Sequence, residues 1–108
     1  MRAALAAIAV AGCAGAGAPS IDQLTPATGR RGDAVVVHGD GFCVPDCDGS
    51  PMGAVDFGLD PLIRATALTW DATAIQVIVP QSVELGTTEV IVTVNDRSSN
   101  AVDFEVVP

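Results

Sequence analysis

The sequence predicts an all-β fold, a sandwich of about seven antiparallel strands that follows a cleavable N-terminal signal segment. Three observations support this prediction. Short runs rich in Val, Ile and Thr recur along the chain, Gly, Pro, Asn and Asp separate these runs, and no stretch after residue 18 places apolar residues at helical spacing over ten positions. Short strands separated by turn residues are typical of two packed sheets, whereas helices need a longer periodic pattern.

Seven segments are predicted as strands because they are short runs between turn residues, and period-two alternation then assigns their faces. They are residues 20–25, 34–39, 54–58, 63–69, 74–79, 88–95 and 101–107. The positions predicted to face the core are Val35, Val37, Val55, Phe57, Ile75, Val77, Val79, Val90, Val92, Val94, Val102, Phe104 and Val106. Asp56, Glu89 and Asp103 are predicted to face water, and they fix the register, since a slip by one residue would bury them.

The first thirteen residues predict export and a lipid anchor. Arg2 precedes an uncharged apolar run at residues 3–11, and small residues lead to Cys13. A basic start, a short apolar run and small residues mark a secretory signal. The run is about half the length that crosses a bilayer. The segment resembles a bacterial lipoprotein signal, which implies cleavage after residue 12 and acylation of Cys13. The alternatives are a buried helix, or a secreted protein without lipid.

The charge of the chain restricts its partners. The net charge is −8, all 13 acidic residues follow Cys13, and the chain contains no Lys. Such a chain repels phosphate backbones, so a nucleic acid is not expected as a partner. It also does not adhere electrostatically to an anionic membrane, which leaves the lipid as the predicted anchor. Residues 13–18 form a flexible Gly/Ala tether, and residues 19–108 suffice for one small domain.

The two remaining cysteines are predicted to pair. With Cys13 acylated, Cys43 and Cys47 form an even pair in an oxidising compartment, where disulfides persist. A metal site built from these cysteines and His38 is the alternative, although the spacing is not that of a zinc site. Between and around them stand Asp40, Asp46 and Asp48, whose oxygens would suit calcium. A solvated acidic loop explains the same residues without a metal.

Five segments together resemble the IPT/TIG domain family of immunoglobulin-like modules. They are "PSIDQLTPATG" (19–29), "AVVVHGDGF" (34–42), "VDFG" (55–58), "TWDATAIQVIVP" (69–80) and "TTEVIVTVNDRSSNAVDFEVVP" (87–108). The segments follow the order of the family and cover nearly all of residues 19–108. The cysteine-bearing stretch "CVPDCDGSP" (43–51) departs from the pattern. The resemblance implies an immunoglobulin-like sandwich with a non-catalytic binding or spacer role, and it names no ligand.

No arrangement of residues predicts catalysis. His38 is the sole histidine and is expected on the outer face of a strand, and no serine stands in a nucleophile elbow. The tripeptide at 31–33 matches an integrin-binding motif, but a tight turn explains it equally well. Trp70 is either a stacking platform for a sugar or a residue that packs over the edge of the sandwich.

The functional prediction is a lipid-anchored envelope protein that displays one binding or structural module. Its expected partner is an unidentified envelope protein or a glycan, and Val36 and Ile78 form a candidate patch if their strands pair, as they do in the fold that the chain resembles. In the familiar sorting rule, an Asp directly after the lipidated cysteine retains a lipoprotein at the inner membrane. The residue at that position here is Ala14, which favours the outer membrane in an organism that has one. Two alternatives stay open: an accessory subunit of a larger envelope enzyme or transport complex, and a calcium-stabilised adhesion domain. No cofactor other than calcium is expected.

Overall fold

The computed structural model describes residues 18–43, 53–58 and 61–108, and these residues form strands and no helices. The all-β prediction is therefore confirmed. No helix long and apolar enough to cross a membrane occurs within those three ranges. The strands are β1 (Ser20–Thr25), β2 (Thr28–Gly29), β3 (Ala34–Asp40), β4 (Gly53–Phe57), β5 (Ile63–Arg64), β6 (Thr66–Trp70), β7 (Ala74–Ile78), β8 (Gly86–Val94), β9 (Arg97–Ser98) and β10 (Val102–Val106).

The strands form two sheets that face each other across one core. Sheet 1 has the order β1-β3-β7-β6, and all its pairs are antiparallel. Sheet 2 has the order β2-β10-β8-β4-β5, and β9 also pairs with β8. The pair of β2 and β10 is parallel, whereas the others in sheet 2 are antiparallel. The short strands β2 and β9 were not expected from the sequence, because two residues are too few to show alternation.

The core consists of the inward positions of both sheets, as the alternation predicts. The rings of Phe57 and Phe104 meet edge to face, with centroids 5.6 Å apart and planes at 85°. Such aromatic pairs add stabilisation beyond the area they bury. The buried apolar residues are Ile21, Leu24, Val35, Val37, Phe42, Val55, Phe57, Ala65, Ile75, Val77, Val79, Val83, Val90, Val92, Val94, Phe104 and Val106. Val102, also predicted to face inward, is partly buried against this cluster.

The predicted strand at residues 63–69 is wrong as a single element. Its first part is β5, which pairs with β4 in sheet 2, and its second part is β6, which pairs with β7 in sheet 1. Ala65 lies between them and is buried, and its N–H donates to the Val55 carbonyl at 2.8 Å. A side chain as small as that of Ala65 fits where the chain passes from one sheet to the other. The alternation of apolar and polar residues along 63–69 does not show that the chain changes sheets at this position.

The predicted exposure of Asp56 is also wrong, because this residue is only 5% exposed. Asp56 does point away from the core, but β4 lies between two other strands. Ile91 of β8 and Arg64 of β5 are its direct cross-strand neighbours. The Arg64 Nε donates to Asp56 Oδ1 at 2.8 Å, and the Arg64 side chain itself is largely exposed. The arginine thus covers the carboxylate and supplies its counter-charge. Asp103 is exposed as predicted, and Glu89 opposite it is half-buried.

The described chain enters and leaves the sandwich at opposite ends. Ser20 at the start of β1 lies opposite Asp40, and Gly53 lies opposite Val94. We call this end the entry pole. At the other end, which we call the exit pole, Val106 at the end of β10 lies opposite Gly86. The polypeptide therefore traverses the full length of the sandwich between Ala18 and Pro108.

Side chains close the entry pole through hydrogen bonds to the backbone. The side chain of Asn100 bonds both main-chain groups of Ile21: its Oδ1 accepts from the N–H at 2.8 Å, and its Nδ2 donates to the carbonyl at 3.0 Å. Ile21 stands at an irregularity of the pairing between β1 and β3. Asn100 thus satisfies two backbone groups that the bulge would leave without a ladder partner.

Candidate functional site

A groove at the exit pole is a concave feature of the described surface. Its volume is about 270 Å³, and it lies between the β4–β5 connection and the β7–β8 loop. Buried Phe57 and Val83 contribute to its floor, and Leu85 on its wall is 51% exposed. Leu62 stands in the chain between the lining residues Pro61 and Ile63 and is 58% exposed. The described lining comprises Phe57, Gly58, Pro61, Ile63, Ser82, Val83, Glu84, Leu85, Thr87 and Thr88.

Arg31 connects the groove to the β2–β3 turn. Its Nε donates to the Val83 carbonyl at 2.7 Å, so the guanidinium is held beside the loop that forms one wall. The next residue, Gly32, has φ of 89°, a left-handed conformation that favours glycine, and its N–H donates to the Val79 carbonyl at 2.9 Å. Asp33 Oδ2 accepts from the Arg30 N–H at 2.8 Å. The tripeptide at 31–33 is therefore a tight turn fixed onto the start of the β7–β8 connection.

Trp70 packs at the entry pole, which is the second of its two predicted roles. The residue is half-buried against the core, and its Nε1 donates to the Phe42 carbonyl at 2.7 Å. A Cβ built on Gly53 would lie only 2.7 Å from the indole ring, so the ring covers this glycine. Phe42 and Gly53 flank the connection between β3 and β4. Trp70 thus fastens both ends of the stretch in which the sequence departs from the IPT/TIG pattern.

The residues predicted for lipid, disulfide and calcium lie mostly outside the described ranges. Cys13, Cys47, Asp46 and Asp48 are among them. Cys43 is disulfide-bonded, and its pairing with Cys47 stays a prediction. Asp40 is exposed at the end of β3. Within the ranges that the structure describes, no group of three or more His, Cys, Asp or Glu residues is arranged to hold a metal ion. The calcium site stays a prediction.

Val36 and Ile78 lie on neighbouring strands, as the sequence analysis expected. In the register of β3 and β7, Val36 is opposite Gln76 and Ile78 is opposite Ala34. The two side chains are therefore diagonal neighbours on the outer face of sheet 1, and both are half-buried. Their use as a docking patch stays a prediction.

No catalytic constellation forms around the sole histidine. His38 lies on the outer face of β3, opposite Ala74 on one side and Gln23 on the other. The hydroxyl of Ser99 bonds backbone groups of Val92 and Asn100 instead of an imidazole. Among the hydrogen bonds of the described residues, none joins a serine hydroxyl to His38. The arrangement of a nucleophile and its base is therefore missing from this part of the chain.

Sequence reasoning missed the groove and the role of Arg31. The groove is lined by two segments whose nearest members, Ile63 and Ser82, are 19 positions apart, and Arg31 and Val83 are 52 positions apart. One signal was available: Leu62 and Leu85 stand next to turn residues, where an exposed apolar side chain is unusual. Alternation within strands gives no information about such loop residues.

Comparison with curated proteins finds the same domain inside bacterial enzymes. The chain is 36% identical over 83 residues to the cyclomaltodextrin glucanotransferase of Bacillus sp. (strain 6.6.3), a match that covers 77% of this chain and 11% of the relative. It is 35% identical over 83 residues to the cyclomaltodextrin glucanotransferase of Niallia circulans, with the same coverage. The chain thus spans about a ninth of the length of these relatives.

Solved structures agree with the sequence matches. The gamma-CGTase of alkalophilic Bacillus clarkii superposes with a TM-score of 0.68 at 36% identity, over 83% of this chain and 12% of that enzyme. The solution structure of the TIG domain of human nuclear factor of activated T-cells, cytoplasmic 4, shares the fold with a TM-score of 0.59 at 21% identity, over 93% and 95% of the two chains. The IPT/TIG domain model matches residues 19–106. The chain belongs to the IPT/TIG domain family.

Proposed function

We propose that this chain is a non-catalytic structural and binding module of the bacterial cell envelope. The observation that carries the proposal is the family match over residues 19–106, in a sandwich that the polypeptide enters and leaves at opposite poles. A domain with this geometry would hold two groups that attach at its opposite poles a fixed distance apart. The likeness to glucanotransferases covers only 11% of their length, so their activity is not carried over to this chain.

The proposed attachment to the envelope is a lipid on Cys13. Its support is the sequence of residues 1–13 together with an acidic domain that has no electrostatic attraction to anionic lipids. A lipid chain with a short tether would keep the module close to the membrane surface.

The experiment that tests the proposal expresses the full-length chain, with its own leader, in a bacterial host grown with radioactive palmitate. We expect label in the chain, recovery with the membrane fraction, and no turnover of starch or cyclodextrin by the purified protein. The matched variant Cys13→Ser should lose the label and leave the membrane. Label that persists in Cys13→Ser would contradict the lipid anchor, and measurable turnover would contradict the non-catalytic role.

Glycan recognition is the second candidate, favoured by the likeness to enzymes named for maltodextrins. The described aromatic residues give it little support, because Phe42, Phe57 and Phe104 are at most 1% exposed and Trp70 is half-buried with its Nε1 already bonded. Sugar sites commonly place an aromatic face against the apolar side of the ring. Titration with maltoheptaose, followed by Trp70 fluorescence and by NMR shifts of the groove residues, tests this candidate.

The other two alternatives rest on single features. An accessory role in a larger envelope complex is supported by the occurrence of the domain within longer enzymes. A calcium-stabilised role rests on Asp40, Asp46 and Asp48, of which only Asp40 lies in the described ranges. A calorimetric titration with calcium would give binding heat and a higher melting temperature if these carboxylates form a site.

A further inference from the structure

We propose that the groove at the exit pole, together with Arg31, binds an acidic protein segment that inserts one aliphatic side chain into the groove and places a carboxylate on the arginine. This inference rests on the proposed function as a binding module and specifies the partner of that module. Two properties of the exit pole carry it. One is a half-open cleft that combines buried apolar side chains with polar ones, and the other is positive charge that forms no ion pair within the described residues of an acidic protein.

The apolar part of the site has the size of one side chain. The groove encloses about 270 Å³, and its floor includes buried Phe57 and Val83. Three large apolar side chains are exposed in the described residues: Leu85 lines this groove, Leu62 stands in the chain between the lining residues Pro61 and Ile63, and Leu68 lies on β6. Exposed leucines around a preformed cleft are typical of a surface that a partner covers. An aliphatic side chain that is buried in such a cleft adds to the binding free energy because it removes apolar surface from water.

The charged part of the site selects an acidic occupant. The net charge of the chain is −8, with five arginines and no lysine, yet Arg30 and Arg31 stand together in the β2–β3 turn. Neither guanidinium forms an ion pair with a carboxylate in the described part of the chain. The Nε of Arg31 is fixed by the Val83 carbonyl at 2.7 Å, which leaves its two terminal nitrogens to bind a carboxylate side by side.

The polar lining suits a polypeptide backbone. Ser82, Thr87 and Thr88 provide hydroxyls that donate or accept, and Glu84 provides an acceptor for an N–H group. A bare hydrocarbon ligand would leave these groups without partners, whereas a peptide offers both N–H and carbonyl groups.

The test uses the full-length, ¹⁵N-labelled chain carrying Cys13→Ser, which remains free of lipid, and three acetylated and amidated tripeptides. The first is Asp-Leu-Glu, the second is its uncharged analogue Asn-Leu-Gln, and the third is Asp-Ala-Glu, which lacks the aliphatic anchor. We expect Asp-Leu-Glu to shift the amide signals of Glu84, Leu85, Thr87 and Arg31 with a millimolar dissociation constant. Asn-Leu-Gln should bind about fivefold more weakly, because it lacks the charge for one exposed ion pair. Asp-Ala-Glu should also bind about fivefold more weakly, because it lacks part of one small apolar contact.

Variants of the arginine complete the test. Arg31→Gln should weaken Asp-Leu-Glu about fivefold and remove the preference over Asn-Leu-Gln. Arg31→Lys should give an intermediate affinity, because a lysine is a point charge without the planar fork. Arg97→Gln, which removes the same charge from β9 at the opposite pole, should bind like the parent. A thermal melt of each variant verifies that it is folded.

Four results would overturn the proposal. The first is the absence of groove shifts at about 20 mM peptide, and the second is equal binding of the charged and uncharged peptides. The third is an unchanged affinity for the peptide in folded Arg31→Gln. The fourth is a set of groove shifts that depend on protein concentration without peptide, which would identify a second copy as the occupant. None of these concerns lipid labelling or starch turnover. A failure of the docking site is therefore distinguishable from a failure of the proposed function.

Discussion

The two poles of the sandwich differ in what their side chains contact. At the entry pole, the polar atoms of Trp70 and Asn100 bond the backbone of Phe42 and Ile21. At the exit pole, more than half of the Leu85 side chain is open to solvent, and Arg31 uses one nitrogen of its guanidinium on the protein itself. The difference implies that substitutions of Trp70 or Asn100 lower stability, whereas substitutions of the exposed Leu85 or of Arg31 leave stability nearly unchanged and alter binding.

The largest effect is expected for Gly39→Ala at the entry pole. A Cβ at this position would lie 1.9 Å from the Ser20 carbonyl oxygen and 2.8 Å from the Phe42 ring, so β1 and β3 would have to separate. We expect a loss of about 3 kcal/mol in the free energy of unfolding, measured by urea denaturation. Gly86→Ala at the exit pole is the comparison, because a Cβ there meets nothing within 4 Å and the variant should lose only about 1–2 kcal/mol, the cost of a side chain at φ of +109°. Equal losses in both variants would refute the close approach at Gly39.

Trp70→Ala is expected to lower the free energy of unfolding by about 3 kcal/mol, since it removes a half-buried ring and its hydrogen bond. Trp70→Phe retains part of the packing but not the donor to the Phe42 carbonyl, and should cost about 1–2 kcal/mol. Leu68→Ala on the same strand is the control, because that side chain is 53% exposed. If Leu68→Ala is as damaging as Trp70→Ala, the ring does not fasten the entry pole.

Asn100→Ala should cost about 1–2 kcal/mol, because both main-chain groups of buried Ile21 lose their partner. The amide proton of Ile21 should also exchange faster with solvent. Asn100→Asp retains the acceptor for the Ile21 N–H but brings a second oxygen to the Ile21 carbonyl, so it should be at least as destabilising as Asn100→Ala. An Asp variant with parental stability would show that the bond to the carbonyl is dispensable.

The smallest effect on stability is expected for Leu85→Gln at the exit pole. The side chain is 51% exposed, so the free energy of unfolding should change by less than about 0.5 kcal/mol. The melting temperature measures this change. Binding of the Asp-Leu-Glu peptide should nevertheless weaken, because the wall of the groove loses its apolar surface. Leu68→Gln, equally exposed but on β6, should leave both quantities unchanged. A stable Leu85→Gln that binds the peptide normally would remove Leu85 from the site.

The sequence predicted those features that depend on period two. Ile75 and Val77 flank Gln76, and Phe104 stands between Asp103 and Glu105; in a sheet with one buried face, the apolar members of such a pattern are the buried ones. The pairing of β3 with β7 followed from the resemblance to the family. These parts of the fold needed no knowledge of distant contacts.

The remaining features depend on residues that are far apart in the chain. Asp56 points outward as alternation requires, but its burial depends on Arg64 of the neighbouring strand. The crossing at Ala65 moves the chain between sheets without changing its composition. The contact between Arg31 and the Val83 carbonyl spans 52 positions. The alternation of residues within one strand gives no information about contacts with distant parts of the chain. The groove and its contact with Arg31 were therefore not found from the sequence.

The parallel pair of β2 and β10 has a mechanical consequence. The Glu105 N–H donates to the Ala27 carbonyl at 3.0 Å, and the Val107 N–H donates to the Gly29 carbonyl at 2.9 Å. These bonds join the first strand segment of sheet 2 to the last strand of the domain. A force that pulls the polypeptide apart at Ala18 and Pro108 would act along these strands, so both bonds would be loaded in shear at the same time. The sandwich would therefore resist tension between its two ends more strongly than if these bonds broke one after the other.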